Sequence, residues 1–218
     1  NALAAIGSTT SLIFLVTGWL QGITSGFSIM VAQSFGAKDY HQMRRYVAMS
    51  VYLCVAFVVV MTAGLMIFNV PILRLMNTPD EIIGQTAAYM GIIYAGLCVT
   101  AAYNAFAAVL RALGDGRSPL YFLIISAVLN VFGDLFFVVV LKDGSRGCAI
   151  STVLSEALCS LFCLIYIQKK VPLLRLGKKW LVFDSRLLKK TIAFGWASAM
   201  QQATVQLGKI GIQAIVNT

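Results

Sequence analysis

Six long apolar runs follow one another through this chain, at 11–31, 46–70, 82–110, 120–141, 148–167 and 191–216, with mostly short polar stretches between them. A hydrocarbon core about 30 Å thick takes about 20 residues of helix to cross. Backbone polar groups at that depth must be satisfied within the segment itself, which favours helices. The chain therefore reads as an all-α membrane protein with about six transmembrane helices. Charged residues make up only 11% of the 218 positions, against about 25% in soluble domains. The formal net charge of +9 does not indicate nucleic acid, because that reading needs a basic face on a water-soluble fold.

The cations are sorted by position. Of the 17 Lys and Arg, 16 lie between the apolar runs, and the five connections hold 3, 1, 2, 2 and 8 of them in order. The odd connections carry 13 and the even ones 3, so the positive-inside rule places the odd connections in the cytoplasm. Both ends of the chain then lie outside a multi-pass inner (plasma) membrane. An exterior start with no initiator Met and no basic leader is awkward to insert, so at least one helix is expected to precede Asn1.

Within the first run, Gly18, Gly22 and Gly26 form a stripe of small residues that predicts close approach of another helix. Pro71 ends the second run, Thr78-Pro79-Asp80-Glu81 reads as a turn into a helix, and Gly114 and Gly116 predict unusual backbone angles in a basic turn. The five cysteines include no CxxC pair, and there is one histidine, His41. Cys159 and Cys163 share a helix face, but without further ligands they read as buried thiols rather than a metal site.

Three charged residues fall well inside runs: Asp134, Glu156 and Lys209. A carboxylate at the centre of a spanning helix costs about 2.5–3.5 kcal/mol on insertion scales. Asn130 lies four residues before Asp134, and Thr152 four before Glu156, so each pair shares a helix face. At about 1.5 Å per residue from the 141–147 connection, Asp134 lies about 10 Å deep, Asn130 about 16 Å, Thr152 about 8 Å and Glu156 about 13 Å. Antiparallel neighbours thus present two oxygen-bearing pairs at matching depth. Carboxylate, amide carbonyl and hydroxyl oxygens suit Na⁺, and a buried carboxylate can carry H⁺ instead. Asp134, Asn130, Thr152 and Glu156 are the candidate cation- or proton-binding residues, with Na⁺ expected at Asp134, Asn130 and Thr152. The alternative is structural: Asn130 caps a kink, Asp134 makes an internal hydrogen bond, and Glu156 is a packing partner. Lys209 either neutralises one of the acids or snorkels towards the interface. No enzyme is indicated, since a Ser/His/Asp set and a phosphate loop are both missing from the sequence.

Several segments together resemble the multidrug and toxic compound extrusion (MATE) family. They are Ala32-Gln33-Ser34-Phe35-Gly36-Ala37, the turn from Arg111-Ala112-Leu113-Gly114-Asp115-Gly116-Arg117-Ser118-Pro119, Leu129-Asn130 with Asp134, Gly147-Cys148-Ala149-Ile150-Ser151-Thr152, and Gln213-Ala214-Ile215-Val216-Asn217. The resemblance implies a two-lobe transporter of twelve helices. Residues 1–170 then hold the second to sixth helices of the N-terminal lobe, 171–190 the basic cytoplasmic inter-lobe loop, and 191–218 the first helix of the C-terminal lobe. It implies a cation-coupled antiporter that exports small organic, often cationic, compounds by alternating access. No cofactor is expected beyond a coupling Na⁺ or H⁺. Asn130, Asp134 and Thr152 correspond to the family's cation site, and a further acidic residue is implied on a first helix that precedes this chain. The cavity would need the remaining lobe or a second chain. Where relatives carry Gly-x-Pro, this chain has Gly195-Trp196-Ala197, which puts a proline-dependent bend in question. Two alternatives stay open: a lipid-linked precursor flippase of related fold, and a non-transporting truncated remnant.

Overall fold

The computed structural model describes residues 2–142, 144–174 and 183–216, and the side-chain surroundings of 12–142, 145–174, 183–206 and 208. The described elements are all helical: α1 (Ala2–Gly36), α2 (Tyr40–Ile67), a short α3 (Asn69–Leu75), α4 (Asp80–Ala112), α5 (Arg117–Leu135), α6 (Gly144–Lys170) and α7 (Ser185–Val216). α5 continues into a π-helical turn at Phe136–Val140, and a 3₁₀ turn at Pro172–Leu174 follows α6. Five helical stretches are long and apolar enough to cross a membrane: Leu12–Gly36, Tyr40–Ile67, Asp80–Ala112, Arg117–Val140 and Ser145–Lys170. The sixth expected span falls within α7. Lys209 and Gln213 on that helix lie outside the described side chains, as do 175–182 of the expected basic loop.

Local chemistry sets the helix ends. The Asp39 carboxylate accepts from the Gln42 amide at 2.9 Å and starts α2. Pro79 precedes α4, whose first turn carries Asp80 and Glu81 against the positive end of the helix dipole. Between α4 and α5, Gly114 takes a φ of +89°, whereas Gly116 has ordinary right-handed angles, so only one of the two expected special glycines is needed. Asp115 Oδ1 accepts from the Ser118 amide at 3.0 Å. Burial works against the Asp115 carboxylate, but hydrogen bonds from Ser118 and the Arg117 backbone outweigh it and hold its pKa below the usual range.

The helices pack unequally. α1 lies closest against α7 and also touches α2 and α4; α4 packs along α6; α5 rests mainly on α6. The glycine stripe of α1 faces α7. A Cβ on Gly22 would lie 2.6 Å from Ala199 Cα, and one on Gly26 would lie 2.6 Å from Gly195 Cα. Trp19 meets Trp196 edge to face, with ring centroids 5.5 Å apart. α7 runs through Gly195-Trp196-Ala197 as one continuous helix.

At the opposite side of the bundle from the 141–144 connection, the start of α2 secures both described ends of the linker. Arg44 Nε donates to the Leu173 carbonyl at 2.7 Å, and Arg45 Nη2 lies 3.5 Å from Asp184 Oδ2. Asp184 Oδ1 also accepts from the amides of Arg186 and Leu187, at 2.9 and 3.3 Å, and so caps α7.

Candidate functional site

Gly133 allows α5 and α6 to come together at the site: a Cβ there would lie 3.2 Å from Ser151 Cβ. One turn earlier, Asn130 Nδ2 lies 3.3 Å from both Ser151 Oγ and Thr152 Oγ1. Ser151 Oγ donates to the Asn130 carbonyl at 3.0 Å, and Thr152 Oγ1 donates to the Cys148 carbonyl at 2.9 Å. Each hydroxyl thus spends its proton on a backbone carbonyl and keeps lone pairs for the Asn130 amide. Because that amide is planar, turning its NH₂ to α6 puts its side-chain carbonyl oxygen on the other side.

Asp134 lies one turn nearer the π turn. Its Oδ1 is buried and has no hydrogen-bond partner. Tyr89 on α4 and Cys148 on α6 are near enough to feel its charge. An ionised carboxylate oxygen stranded among apolar groups is costly, and two physical remedies exist: a cation beside it or a proton on it. The π turn that begins two residues beyond Asp134 is a departure from regular helix of a kind often found at functional sites.

The relative register of α5 and α6 differs from the one expected. The depth count placed Thr152 beside Asp134 and Glu156 beside Asn130. Instead Asn130 is level with Thr152, and Ser126 Oγ donates to the Ser155 carbonyl at 2.8 Å. The offset is close to one helical turn, about 5.4 Å. Two features produce it. α6 begins at Gly144 rather than at 147, and the π turn fits more residues into each turn of α5. Glu156 is consequently not gathered with the other three. It accepts a hydrogen bond from Thr100 Oγ1 on α4. Thr152 and Glu156 do lie on adjacent turns, but they straddle the edge of one face, so α5 takes the first and α4 the second.

Sequence reasoning missed Ser151, Tyr89 and Cys148 as neighbours of the site. Ser151 had a readable signal, being the residue next to Thr152 on a helix that faces Asn130. Cys148 had one too, lying one turn before Thr152 on the same helix, whereas Tyr89 had none, since only the packing of α4 brings it near Asp134. A separate cavity of about 590 Å³, lined by residues including Thr24, Ser50, Phe106 and Gln168, lies between α1, α2, α4 and α6. None of the four candidate residues lines it.

With this arrangement in view, comparison with known proteins decides the family. The family model described as MatE matches residues 1–136. The chain belongs to the MatE family. "Probable multidrug resistance protein YoeA" of Bacillus subtilis (strain 168) is 31% identical to it over 226 residues, covering 100% of this chain and 48% of that protein. "Probable multidrug resistance protein YpnP" of the same organism is 29% identical over 221 residues, with coverage of 100% and 48%. The MatE chain also shares its fold with "Inward-facing conformation of a multidrug resistance MATE family transporter of the MOP superfamily", at TM-score 0.87 and 22% identity over 94% of this chain and 47% of that one. "Crystal structure of MATE in complex with MaL6" gives TM-score 0.89 at 21% identity, covering 98% and 48%. The MatE chain spans about half the length of the curated relatives it matches. It is an all-helical, multi-pass membrane protein and carries part of a twelve-helix transporter fold.

Proposed function

We propose that this chain is the part of a multidrug efflux transporter that holds the coupling-ion site, and that Asp134, Asn130 and Thr152 form that site, with Ser151 supporting it. The observation that carries this reading is the buried, unpartnered Asp134 Oδ1, one helical turn along α5 from an amide that is hydrogen-bonded to two hydroxyls of α6. The donor set fits a hard cation: one charged carboxylate, one amide carbonyl, and hydroxyl oxygens whose protons are already committed to backbone. It also fits a proton, since Asp134 can take one and become neutral. Either way the net charge between α5 and α6 changes by one unit.

Coupling follows if the ion prefers one arrangement of the helices. Binding at Asp134 stabilises the α5–α6 contact seen here, and loss of the ion leaves an uncompensated carboxylate that favours access to water. An ion that bound both arrangements equally would drive nothing. The whole protein would exchange inward Na⁺ or H⁺ for outward organic, often cationic, substrates. It would do so by alternating access in the cell's inner (plasma) membrane, with residues 1–170 in the N-terminal lobe and 171–190 as the cytoplasmic inter-lobe loop. The lipid-precursor flippase gains no support from the described side chains, because every described Lys and Arg lies near a helix end or in a connection.

The test is dye efflux by the full-length protein in membrane vesicles, with Na⁺ and pH gradients imposed separately. Asp134→Asn is expected to bring gradient-driven efflux down to the vesicle background while insertion and yield stay at wild-type level. Asn130→Ala and Thr152→Ala should weaken coupling without removing the charge change. Undiminished gradient-driven efflux by Asp134→Asn would overturn the assignment.

A further inference from the structure

The second carboxylate within a span, the half-buried Glu156, has its own surroundings. It sits midway along α6 and accepts from Thr100 Oγ1 of α4. Asn104 Nδ2 donates to the Thr100 carbonyl at 2.9 Å and so braces the turn that presents the hydroxyl. One turn before Thr100, Gly96 draws the helices together: a Cβ there would lie 3.2 Å from Val153 Cγ1. Glu156 is therefore held against α4 one turn from the tight Gly96–Val153 approach, half-buried between the two helices.

Among the described residues, the groups near Glu156 supply no positive charge. On α4 they are Thr100 and the Tyr103 phenol, which is near enough to feel the Glu156 charge. On α6 the Cys159 thiol feels it as well. On α5 the nearest described polar group is Ser126, whose hydroxyl is bonded to the Ser155 carbonyl. Among the described residues no ion pair to Glu156 is formed, and Thr100 is its hydrogen-bond partner. A single hydroxyl does not replace the hydration shell of a carboxylate, and an unpaired buried acid commonly becomes neutral instead. The neutral form has a consistent set of bonds here. The carboxyl donates to Thr100 Oγ1, and the Thr100 hydroxyl turns to the Gly96 carbonyl 3.4 Å away.

The titratable groups recorded near the two acids differ. Asp134 acts on Tyr89 and Cys148, and Glu156 acts on Tyr103 and Cys159. We propose that Glu156 is a second proton-binding site, separate from the Asp134 site, which holds one proton while α4 and α6 are packed together and gives it up when the seam opens to water. The step is a simple protonation: a carboxylate of charge −1 takes one H⁺ and becomes a neutral carboxyl, with no other bond broken. The proton site stands on the seam alone. Its consequence, a proton dependence of transport additional to the coupling ion at Asp134, rests on the function proposed above.

Infrared spectroscopy of the full-length protein, together with the pH profile of dye efflux, tests this. At neutral pH the wild type is expected to show a protonated-carboxyl band that Glu156→Gln removes, Thr100→Val shifts and Asp134→Asn leaves in place. Efflux by Glu156→Gln should lose one ionisation from its pH profile. A band that survives Glu156→Gln, or one insensitive to Thr100→Val, would overturn the proposal. If Glu156→Gln fails to fold, Thr100→Val, which keeps the carboxyl, decides alone. Undiminished coupled efflux by Asp134→Asn would sink the Asp134 reading without touching this one, whereas loss of the Glu156 band leaves the Asp134 reading untested by it.

Discussion

The α1–α7 contact and the α5–α6 contact are both built on glycine, yet they do different work. Along α1–α7, Gly22 and Gly26 press onto the backbone of Ala199 and Gly195, Trp19 meets Trp196, and Gln206 is the polar side chain that lies against Gly18. Along α5–α6, Gly133 presses instead onto the Ser151 side chain, and the space on either side is filled by polar groups: Asn130 and Ser126 on α5, Thr152 and Ser155 on α6. The rest of α5 is open, with Tyr121 and Phe132 62% and 66% exposed. Dispersion and close approach hold the first seam, and they do not change with ions. Hydrogen bonds hold the second, next to a carboxylate with an unpartnered oxygen, and on the function proposed above its stability changes with what binds there. A switching element is best carried by a helix with one polar seam and few other attachments, and on the function proposed above that helix is α5.

The largest expected effect comes from filling the apolar seam. Gly22→Leu puts a side chain where even a Cβ would lie 2.6 Å from Ala199 Cα, and because the obstacle is backbone, the helices must separate. Overpacking of this kind costs about 3 kcal/mol. The variant should accumulate poorly and melt well below wild type in detergent. Normal yield and melting temperature would show that the tight α1–α7 contact is not what holds these helices together.

Gly133→Ala should be milder and, unlike Gly22→Leu, reversible by a partner. The added methyl meets the Ser151 side chain, at a cost of about 1–2 kcal/mol. Removing the hydroxyl as well, in Gly133→Ala with Ser151→Ala, should recover part of that loss in melting temperature. Ion dependence of efflux should follow the same order. Strictly additive effects, within about 0.5 kcal/mol, would mean the two residues are not packed as described.

What could be read from the sequence follows the same division. The helices were legible because long apolar runs and sorted cations are properties of the chain itself; the Gly18, Gly22 and Gly26 stripe announced a close contact, though not that α7 would fill it. The pair Asn130 and Asp134 stood out because polarity inside such a run is costly. The assignment of Glu156 to Thr100 rather than to Asn130 was not legible, because it depends on where α6 starts and on the π turn at Phe136–Val140. A shift of a single helical turn decides which neighbour each acid meets, and nothing in the spacing of residues records such a shift. Tyr89 escaped for a related reason, since its nearness to Asp134 is a product of packing between helices.

The smallest effect expected is at the linker end of α7, and it sharpens the contrast because there a charge rather than a glycine attaches that helix. The amides of Leu187 and Arg186 hold the Asp184 carboxyl below its usual pKa, with the Arg45 and Arg186 charges adding to this. A group whose folded pKa is depressed contributes stability that is fully present above its unfolded value, about 3.9, and that is lost as pH falls through the folded value. The contribution should therefore be constant near neutrality and fade only below about pH 4. Asp184→Ala in the full-length protein should melt slightly below wild type at neutral pH, and the two melting curves should converge in acid as the wild-type carboxyl takes up its proton. Because Asp184 is partly exposed, added salt should shrink the Arg45 share of the difference and leave the hydrogen-bonded cap in place. A gap between the two proteins that persists unchanged into acid would mean that the bonds to Arg186 and Leu187 do not hold the carboxylate form, and that α7 is attached through its glycine seam alone.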